Sequence, residues 1–316
     1  MGGKAVQLSD LEQPPFCTTL MGVLKGAADH HGLALSAPAL FGLTGHAFLM
    51  NIHTELCPSS PYCWKLETVL PLIENMGLRM TYLGFFGTDA SPETRADVEA
   101  KLRDALDRGV PCSALNMEHQ LICGYDADGF LMTQPWGPDP PVTPARLTFG
   151  SWAEFGEQVH ACFFTIEKTD PAPHAEAVLA SLAYAVDLQR HPSAHSSEAS
   201  GAGSLAYDNW IAAVPGHGAG HGAWWNATVW SECRAMAAAY FDEIGARYRE
   251  VATRCADLSE SYRQISADLK GAGDKALASE PKIALLRHAQ ELERQAVDGI
   301  EALAATGLRD AALSAS

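Results

Sequence analysis

The sequence predicts an α+β fold in which a half that contains helices and strands is followed by an all-α half. Up to about residue 170, runs with helical periodicity occur together with short apolar runs that are typical of strands. Beyond that point only helical patterns and loops follow. Helices that precede a group of closely spaced strands favour a largely antiparallel sheet over other arrangements.

The elements of the first half follow from these patterns. Helices are predicted at Cys17–His31, Trp64–Met76 and Ser91–Arg108. Strands are predicted at Met80–Phe86, Val110–Asn116, Gln120–Tyr125, Phe130–Thr133 and Cys162–Ile166. The tetrapeptide DADG at 126–129 separates two of the apolar runs, and Asp and Gly tolerate the backbone angles of tight turns. The strands on either side of it are therefore expected to pair.

The second half divides into a helix with a flexible linker at 171–203 and a helical domain at 204–316. The linker prediction depends on HPSAHSSEASGAGS at 191–204, which is rich in small polar residues and glycine. Apolar residues then recur at helical spacing between Tyr248 and Leu269. A last helix is expected to begin at Ser279 as its N-cap. The sequence thus predicts domains at 1–170 and 204–316, joined by 171–203.

Composition narrows the possible partners. The chain has 316 residues and a formal net charge of −16 at pH 7. A surface that binds phosphates would oppose this charge, so we expect neither nucleic acid nor an anionic membrane as a partner. The chain contains no apolar run as long as a membrane helix needs, and its first residues lack the apolar stretch of a signal peptide. A cytoplasmic protein without cofactor or metal is expected.

Eight cysteines are too few to form a disulfide scaffold in a chain of this length, and a cytosolic compartment would keep them reduced. Most lie in apolar strand-like runs or on apolar helical stripes, where cysteine behaves as a small hydrophobic residue. Cys17, Cys57 and Cys63 do not fit this description. Cys57 and Cys63 lie near His46 and His53, but the spacing matches no common zinc motif, and ordinary loop residues are the favoured interpretation.

Cys17 is the candidate nucleophile. Two prolines and Phe16 precede it, and helical spacing follows until Gly32 ends the run. At the start of a helix, unpaired backbone N–H groups and the helix dipole favour a thiolate, so the pKa of the thiol is expected to be lowered. The alternative is a buried cysteine that fills space at the helix start.

His119 is the candidate base. It stands at the entrance of an apolar strand, where a rigid sheet can present the imidazole to the start of a facing helix. The other histidines lie at the far end of the Cys17 helix, at the start of another strand, or in Gly/Pro/Ser-rich segments. The alternative is a structural histidine that satisfies its own hydrogen bonds at the strand entrance.

The order of these features resembles that of papain-fold cysteine enzymes. The chain is similar to the branch that contains the bacterial double-glycine leader peptidases, and more closely to the N-terminal-domain family of butirosin biosynthesis protein H. The resemblance covers about residues 13–168. It is carried by FCTTLMGVLKGAADHHGLALS, FGLTGHAFLM and EHQLICGYDADGFLMTQPWG. It implies a papain-like first domain and a role in bacterial secondary metabolism.

The resemblance also implies two further site residues. An Asp or Asn orients the histidine in this family, and the corresponding position here is Gln134, which can accept the imidazole N–H but carries no charge. Asp139 is the alternative orienting residue. The oxyanion-hole glutamine of the family corresponds to Gln13, four residues before Cys17.

Three functions remain open at this point. The first is acyl transfer or amide hydrolysis on a small molecule or peptide through a Cys17 acyl-enzyme, with His119 as base. A carrier-protein thioester is a further acyl donor that the sequence admits, although carrier proteins are themselves usually acidic. The second is a non-catalytic papain-fold binding protein, and the third is a cysteine peptidase. A homodimer is compatible with all three.

Overall fold

The computed structural model describes residues 5–137, 143–157, 159–305 and 308, and it confirms a mixed α+β protein. The strands are β1 (Val6–Gln7), β2 (Asn51–His53), β3 (Leu78–Gly87), β4 (Cys112–Leu115), β5 (His119–Tyr125), β6 (Gly129–Met132), β7 (Arg146–Thr148), β8 (His160–Lys168) and β9 (Ser200–Ala202). The helices are α1 (Thr19–His30), α2 (Ala37–Leu43), α3 (Leu70–Asn75), α4 (Pro92–Asp107), α5 (His174–Arg190), α6 (Pro192–His195), α7 (Ser204–His217), α8 (His221–Arg247), α9 (Ala252–Ala272) and α10 (Ser279–Ala305).

Met1–Leu35 and Gly77–Asp170 form one compact unit around an antiparallel sheet. The strand order is β3-β8-β4-β5-β6-β7, and β1 pairs with the end of β5. All five predicted strands are present in this sheet. The predicted hairpin is also confirmed, because β5 pairs with β6 and the Oδ1 of Asp126 accepts the N–H groups of Asp128 and Gly129.

The two faces of this sheet have different roles. On one face, Ile122 and Phe163 pack with Leu102 and Leu106 of α4 in the main apolar core of the unit. The other face lies under α1, where a Cβ added to Gly26 would come within 2.7 Å of Leu121 Cδ1. Alternate residues of a strand point to the same face. His119, two residues before Leu121, therefore points to the α1 face.

Glycines on α1 let the preceding segment of chain lie directly against the helix. A Cβ at Gly26 would come within 2.1 Å of the carbonyl oxygen of Glu12, and one at Gly22 within 2.7 Å of that of Pro14. Larger residues at either position would push this segment outward. The close approach holds Gln13 between α1 and β5.

The second compact unit differs from the predicted domains. It comprises Ser36–Met76 together with Pro171–Ser316, so residues 1–170 do not form a single unit. The reason is a set of hydrogen bonds across long stretches of sequence. β2 pairs with β9, and the buried guanidinium of Arg234 donates to the carbonyl oxygens of Ala47 and Leu49. These bonds attach the segment at 36–76 to the helices of the second half.

The flexible linker at 191–203 is a further correction. This segment forms α6 and β9, and His195 and Ser200 are buried. Small residues are required where the chain is close packed, since a Cβ at Gly203 would come within 2.0 Å of the Leu188 carbonyl oxygen. The described elements of the predicted helical domain are all helices, from α7 to α10, as expected. Among the elements described after residue 170, only β9, in the predicted linker, departs from the expected helices and loops, and it pairs with β2.

Candidate active site

Cys17 lies at the entrance of α1, as the sequence predicts. It is half-buried and stands two residues before Thr19, the first residue of the helix. The side chain of Trp136, from the QPWG motif, holds the preceding residue in place, because its Nε1–H donates to the carbonyl oxygen of Phe16 at 3.0 Å. The segment that carries the candidate nucleophile is therefore tied to the chain that follows β6.

His119 is the first residue of β5 and is 5 % exposed. It pairs with Leu115 of β4, and its ring lies 6.2 Å from the ring of Phe164 on β8. Its Nδ1 atom is buried and has no hydrogen-bond partner among the residues that the structure describes. A buried polar atom without a partner costs free energy, which marks this imidazole as a candidate functional group.

The main chain of His119 is clamped by the segment around Cys17. Its N–H donates to the hydroxyl of Thr19 at 3.1 Å, and its carbonyl oxygen accepts from Nε2 of Gln13 at 2.8 Å. The Thr19 hydroxyl in turn donates to the buried carboxylate of Glu118 at 2.8 Å. Two side chains that flank Cys17 thus fix the start of β5. The structure brings the candidate base to the end of α1 at which the candidate nucleophile lies.

Gln13 does not have the role that the resemblance implies. Its Nε2 donates to His119 O and, at 3.4 Å, to Thr19 O. Its Oε1 accepts from the N–H of Leu121 at 2.9 Å and from the hydroxyl of Thr133 at 2.6 Å. Because both amide hydrogens are directed at main-chain carbonyls, they are not offered to an oxyanion. In this conformation Gln13 joins α1, β5 and the end of β6 through its side-chain hydrogen bonds.

The expected hydrogen bond between Gln134 and His119 is absent. Nε2 of Gln134 turns back to the carbonyl of Thr133 at 3.3 Å, while its Oε1 is buried without a hydrogen-bond partner. The Nδ1 of His119 is also buried without a partner. The pair thus leaves a potential donor and an acceptor unsatisfied. Asp139, the alternative orienting residue, lies outside the described residues.

Burial sets the protonation of the candidate base. Loss of solvation lowers the pKa of His119 from its ordinary value of 6.5 to about 3. The imidazole is therefore neutral at physiological pH, and it accepts a proton readily only where a partner stabilises the charged ring. The resemblance implies only a weakly stabilised imidazolium, because Gln134 carries no charge, and burial of the ring disfavours the imidazolium further.

This shift predicts a pH-dependent stability. Below pH 6.5 the unfolded chain binds a proton at His119 that the folded chain does not, so the free energy of unfolding falls as the pH is lowered toward 3. Between pH 7 and pH 5 the loss is about 2 kcal/mol. Urea unfolding at the two pH values measures it. The variant His119→Asn should lose less stability than the wild type over this range, and the exposed-histidine control His160→Asn should match the wild type.

The other thiols differ from Cys17 in their surroundings. All eight cysteines are free. Burial raises the pKa of Cys112, Cys123 and Cys162, and it raises the pKa of Cys255 to about 12. These thiols stay protonated at neutral pH and are poor nucleophiles.

Sequence reasoning missed four residues that build the site. Thr19, Glu118, Thr133 and Trp136 position Cys17 and His119 through side chains that bond to distant parts of the chain. All four lie within the segments that carry the resemblance, Thr19 in the first and the others in the last. Their residue types alone give no local signal of these roles, since threonine is common at the end of a strand.

Comparison with known proteins finds no family model and no curated relative that matches the chain. In the part of the chain that the structure describes, no helix is long and apolar enough to cross a membrane. Within the same residues, no group of three His, Cys, Asp or Glu side chains could hold a metal ion.

Proposed function

We propose that the protein is a thiol-dependent acyltransferase or amidohydrolase that acts on a small molecule or peptide. Cys17 gives its proton to His119 and its sulfur attacks the carbonyl carbon of the substrate. The protonated imidazole passes the proton to the leaving amine or thiol as the bond to the carbonyl carbon breaks. Water or an amine then attacks the resulting thioester and loses a proton to His119. As the bond between sulfur and the carbonyl carbon breaks, His119 returns this proton to the Cys17 thiolate, which restores the thiol and releases the acyl product.

One observation carries this proposal. Thr19 and Gln13, which lie on either side of Cys17 in the sequence, fix the main chain of His119, whose imidazole is buried. A structural histidine at this position would be expected to satisfy its ring nitrogens, whereas Nδ1 is left without a partner. The arrangement supplies a base held by a rigid sheet at the helix entrance, as covalent catalysis by cysteine needs.

Gln134 is proposed to orient His119 once the ring becomes charged. Rotation of its amide away from Thr133 would let the unpaired Oε1 accept the Nδ1–H of the imidazolium. This bond would satisfy both buried atoms at once. It would form in the protonated state, when the ring has two N–H donors.

Variants at Gln134 test this role. Gln134→Asn or Gln134→Asp should preserve or increase the rate at which iodoacetamide alkylates Cys17, because each retains an acceptor for the ring N–H. Gln134→Leu should lower that rate because it removes the acceptor. The measurement is the alkylation rate across pH 5–9, with His160→Asn as control. Identical profiles for all three Gln134 variants would exclude Gln134 as the orienting residue.

Acyl-enzyme formation tests the function itself. The protein is incubated with acetyl and hexanoyl thioesters of N-acetylcysteamine, and its intact mass is measured with time. We expect an increase by one acyl group, located on Cys17 by peptide mapping, and none in Cys17→Ala. Acylation of Cys63 with Cys17 unmodified would contradict the proposal, since Cys63 is simply exposed.

The hydrogen bonds that occupy the Gln13 amide favour a second candidate function, that of a papain-like binding protein without catalysis. An oxyanion site that is occupied by main-chain carbonyls would not stabilise a tetrahedral intermediate. Saturable binding of a thioester without any mass increase would identify this function. Cleavage of peptides, with thioesters left intact, would instead identify a cysteine peptidase.

A further inference from the structure

Large apolar side chains are exposed together on one part of the first unit. Four such side chains are exposed among the described residues, and three of them are Tyr82, Phe85 and Met117, at 49 %, 59 % and 73 %. Tyr82 and Phe85 lie on β3, and Met117 lies in the turn between β4 and β5. Exposed apolar groups that cluster in this way indicate a binding surface more often than scattered ones do.

A β-bulge places two of these side chains on the α1 face of the sheet. Tyr82 is paired with Phe164 and Phe85 with Cys162, and the register shifts between Tyr82 and Gly84. Without the extra residue, Phe85 would point to the α4 face, because a shift by one residue reverses every side chain beyond it. Gly84 has φ +135°, which an L side chain rarely adopts. The bulge therefore turns Phe85 toward the face that carries His119.

Ring contacts connect this surface to the candidate base. The ring of His119 lies 6.2 Å from that of Phe164, and Phe164 lies 5.5 Å from Tyr82. Cys162, the cross-strand partner of Phe85, lies two residues from Phe164 on β8 and so shares its face of the sheet. The turn with Met117 lies beside them, because Asn116 Oδ1 accepts the N–H of His160.

The chemistry of this surface is apolar throughout. We define the acyl patch as the side chains of Tyr82, Phe85, Met117 and Cys162. None of the four carries a charge at neutral pH, and burial keeps the Cys162 thiol protonated by raising its pKa. Its outer edge is His160, whose ring stacks on Phe85 at 6.1 Å. The patch therefore contains no charged side chain that would pair with an ionised group.

From this arrangement we infer that the acyl patch binds an extended aliphatic acyl group of the substrate that Cys17 attacks. The inference rests on the proposed function and specifies its substrate class: a fatty acyl thioester or amide, not a short polar acyl group. The reactive carbonyl would lie at Cys17, and the alkyl chain would lie against the exposed rings of Tyr82 and Phe85.

Two alkylating reagents of different length test the inference. Rates of modification by iodoacetamide and by N-hexyl iodoacetamide are measured separately for Cys17 and for exposed Cys63 in the same molecule. Each buried methylene strengthens apolar binding by about fourfold, and the patch is partly exposed. We therefore expect the ratio of hexyl to unsubstituted rate to be about tenfold higher for Cys17 than for Cys63.

Variants test whether the acyl patch causes the preference of Cys17 for the hexyl reagent. The double variant Tyr82→Ser with Phe85→Ser should bring the Cys17 ratio to within about twofold of the Cys63 ratio, since it removes the apolar surface. Trp224→Ser is the matched control, because Trp224 is the fourth exposed apolar side chain and lies on α8. It should leave the ratio unchanged. Circular dichroism melts establish that both variants are folded.

Three results would overturn the inference. If Cys17 reacts readily with both reagents but shows no preference for the hexyl reagent, then the acyl patch does not bind the alkyl chain, and the proposed function still stands. If Cys17 reacts with neither reagent, then both the inference and the proposed function are wrong. A wild-type dimer that the double variant converts to a monomer, seen by sedimentation velocity, would assign the patch to self-association.

Discussion

Replacing His119 with alanine is expected to slow acylation of Cys17 by roughly 10²–10⁴-fold, the range that a positioned general base contributes. The imidazole is neutral because burial lowers its pKa to about 3, so the proton-accepting form is present at every physiological pH. Without the ring, the Glu118 carboxylate is the remaining described base that is bonded to this end of α1. It already accepts a hydrogen bond from Thr19. Mass-spectrometric measurement of hexanoyl-enzyme formation provides the rate.

His217→Ala is the control for this prediction. His217 is the last residue of α7 and is exposed, so its loss should change the rate by less than about twofold, as for a surface substitution that removes no buried contact. If His119→Ala and His217→Ala acylate at the same rate, then His119 is a structural histidine. The binding-protein interpretation would then be preferred.

Local patterns predict the sheet well and the division of the chain poorly. The strands from β3 to β6 and β8 are apolar runs of four or more residues, which is enough for their periodicity to show. β2 and β9 have three residues each, too short for a pattern, and they pair across about 150 residues. The assignment of 36–76 to the second unit depends on such distant bonds, and no local feature of the sequence encodes them.

The candidate site shows the same distinction. Cys17 and His119 were found because each stands at the boundary of an element, where composition changes visibly. The bonds that join them run from Thr19 and Gln13 to the main chain about 100 residues away. Hydrogen bonds to the main chain do not depend on the type of the residue that provides the main-chain group. Neither the bonds that hold the main chain of His119 nor those made by Gln13 could therefore be predicted from the sequence. Burial of the imidazole likewise arises only when the sheet and α1 are assembled.

Breaking the ion pair at the centre of the second unit is expected to cause the largest loss of stability. Arg234 and Glu293 are both fully or almost fully buried, and Nη2 of Arg234 lies 2.7 Å from a Glu293 carboxylate oxygen. The Tyr207 hydroxyl donates to the same carboxylate at 2.6 Å. Glu293→Ala leaves a buried guanidinium without its counter-charge, which costs about 3–5 kcal/mol. Urea unfolding at pH 7 measures the change.

An exposed pair provides the matched control. Arg263 and Asp242 also lie 2.6 Å apart, but both side chains are about half exposed, so Asp242→Ala should cost less than about 1 kcal/mol.

A double variant separates loss of charge pairing from loss of packing, even if Glu293→Ala fails to fold. Arg234→Met with Glu293→Leu removes both charges and fills similar volume, so it should recover most of the stability lost in Glu293→Ala. It also removes the donors to Ala47 and Leu49, which hold the segment at 36–76. If the double variant is as unstable as Glu293→Ala, loss of the main-chain bonds offsets what removal of the unpaired charge restores, and both kinds of contact stabilise the second unit. A loss below about 1 kcal/mol in Glu293→Ala would contradict the prediction, because it would show that the buried Arg234 guanidinium does not need its counter-charge.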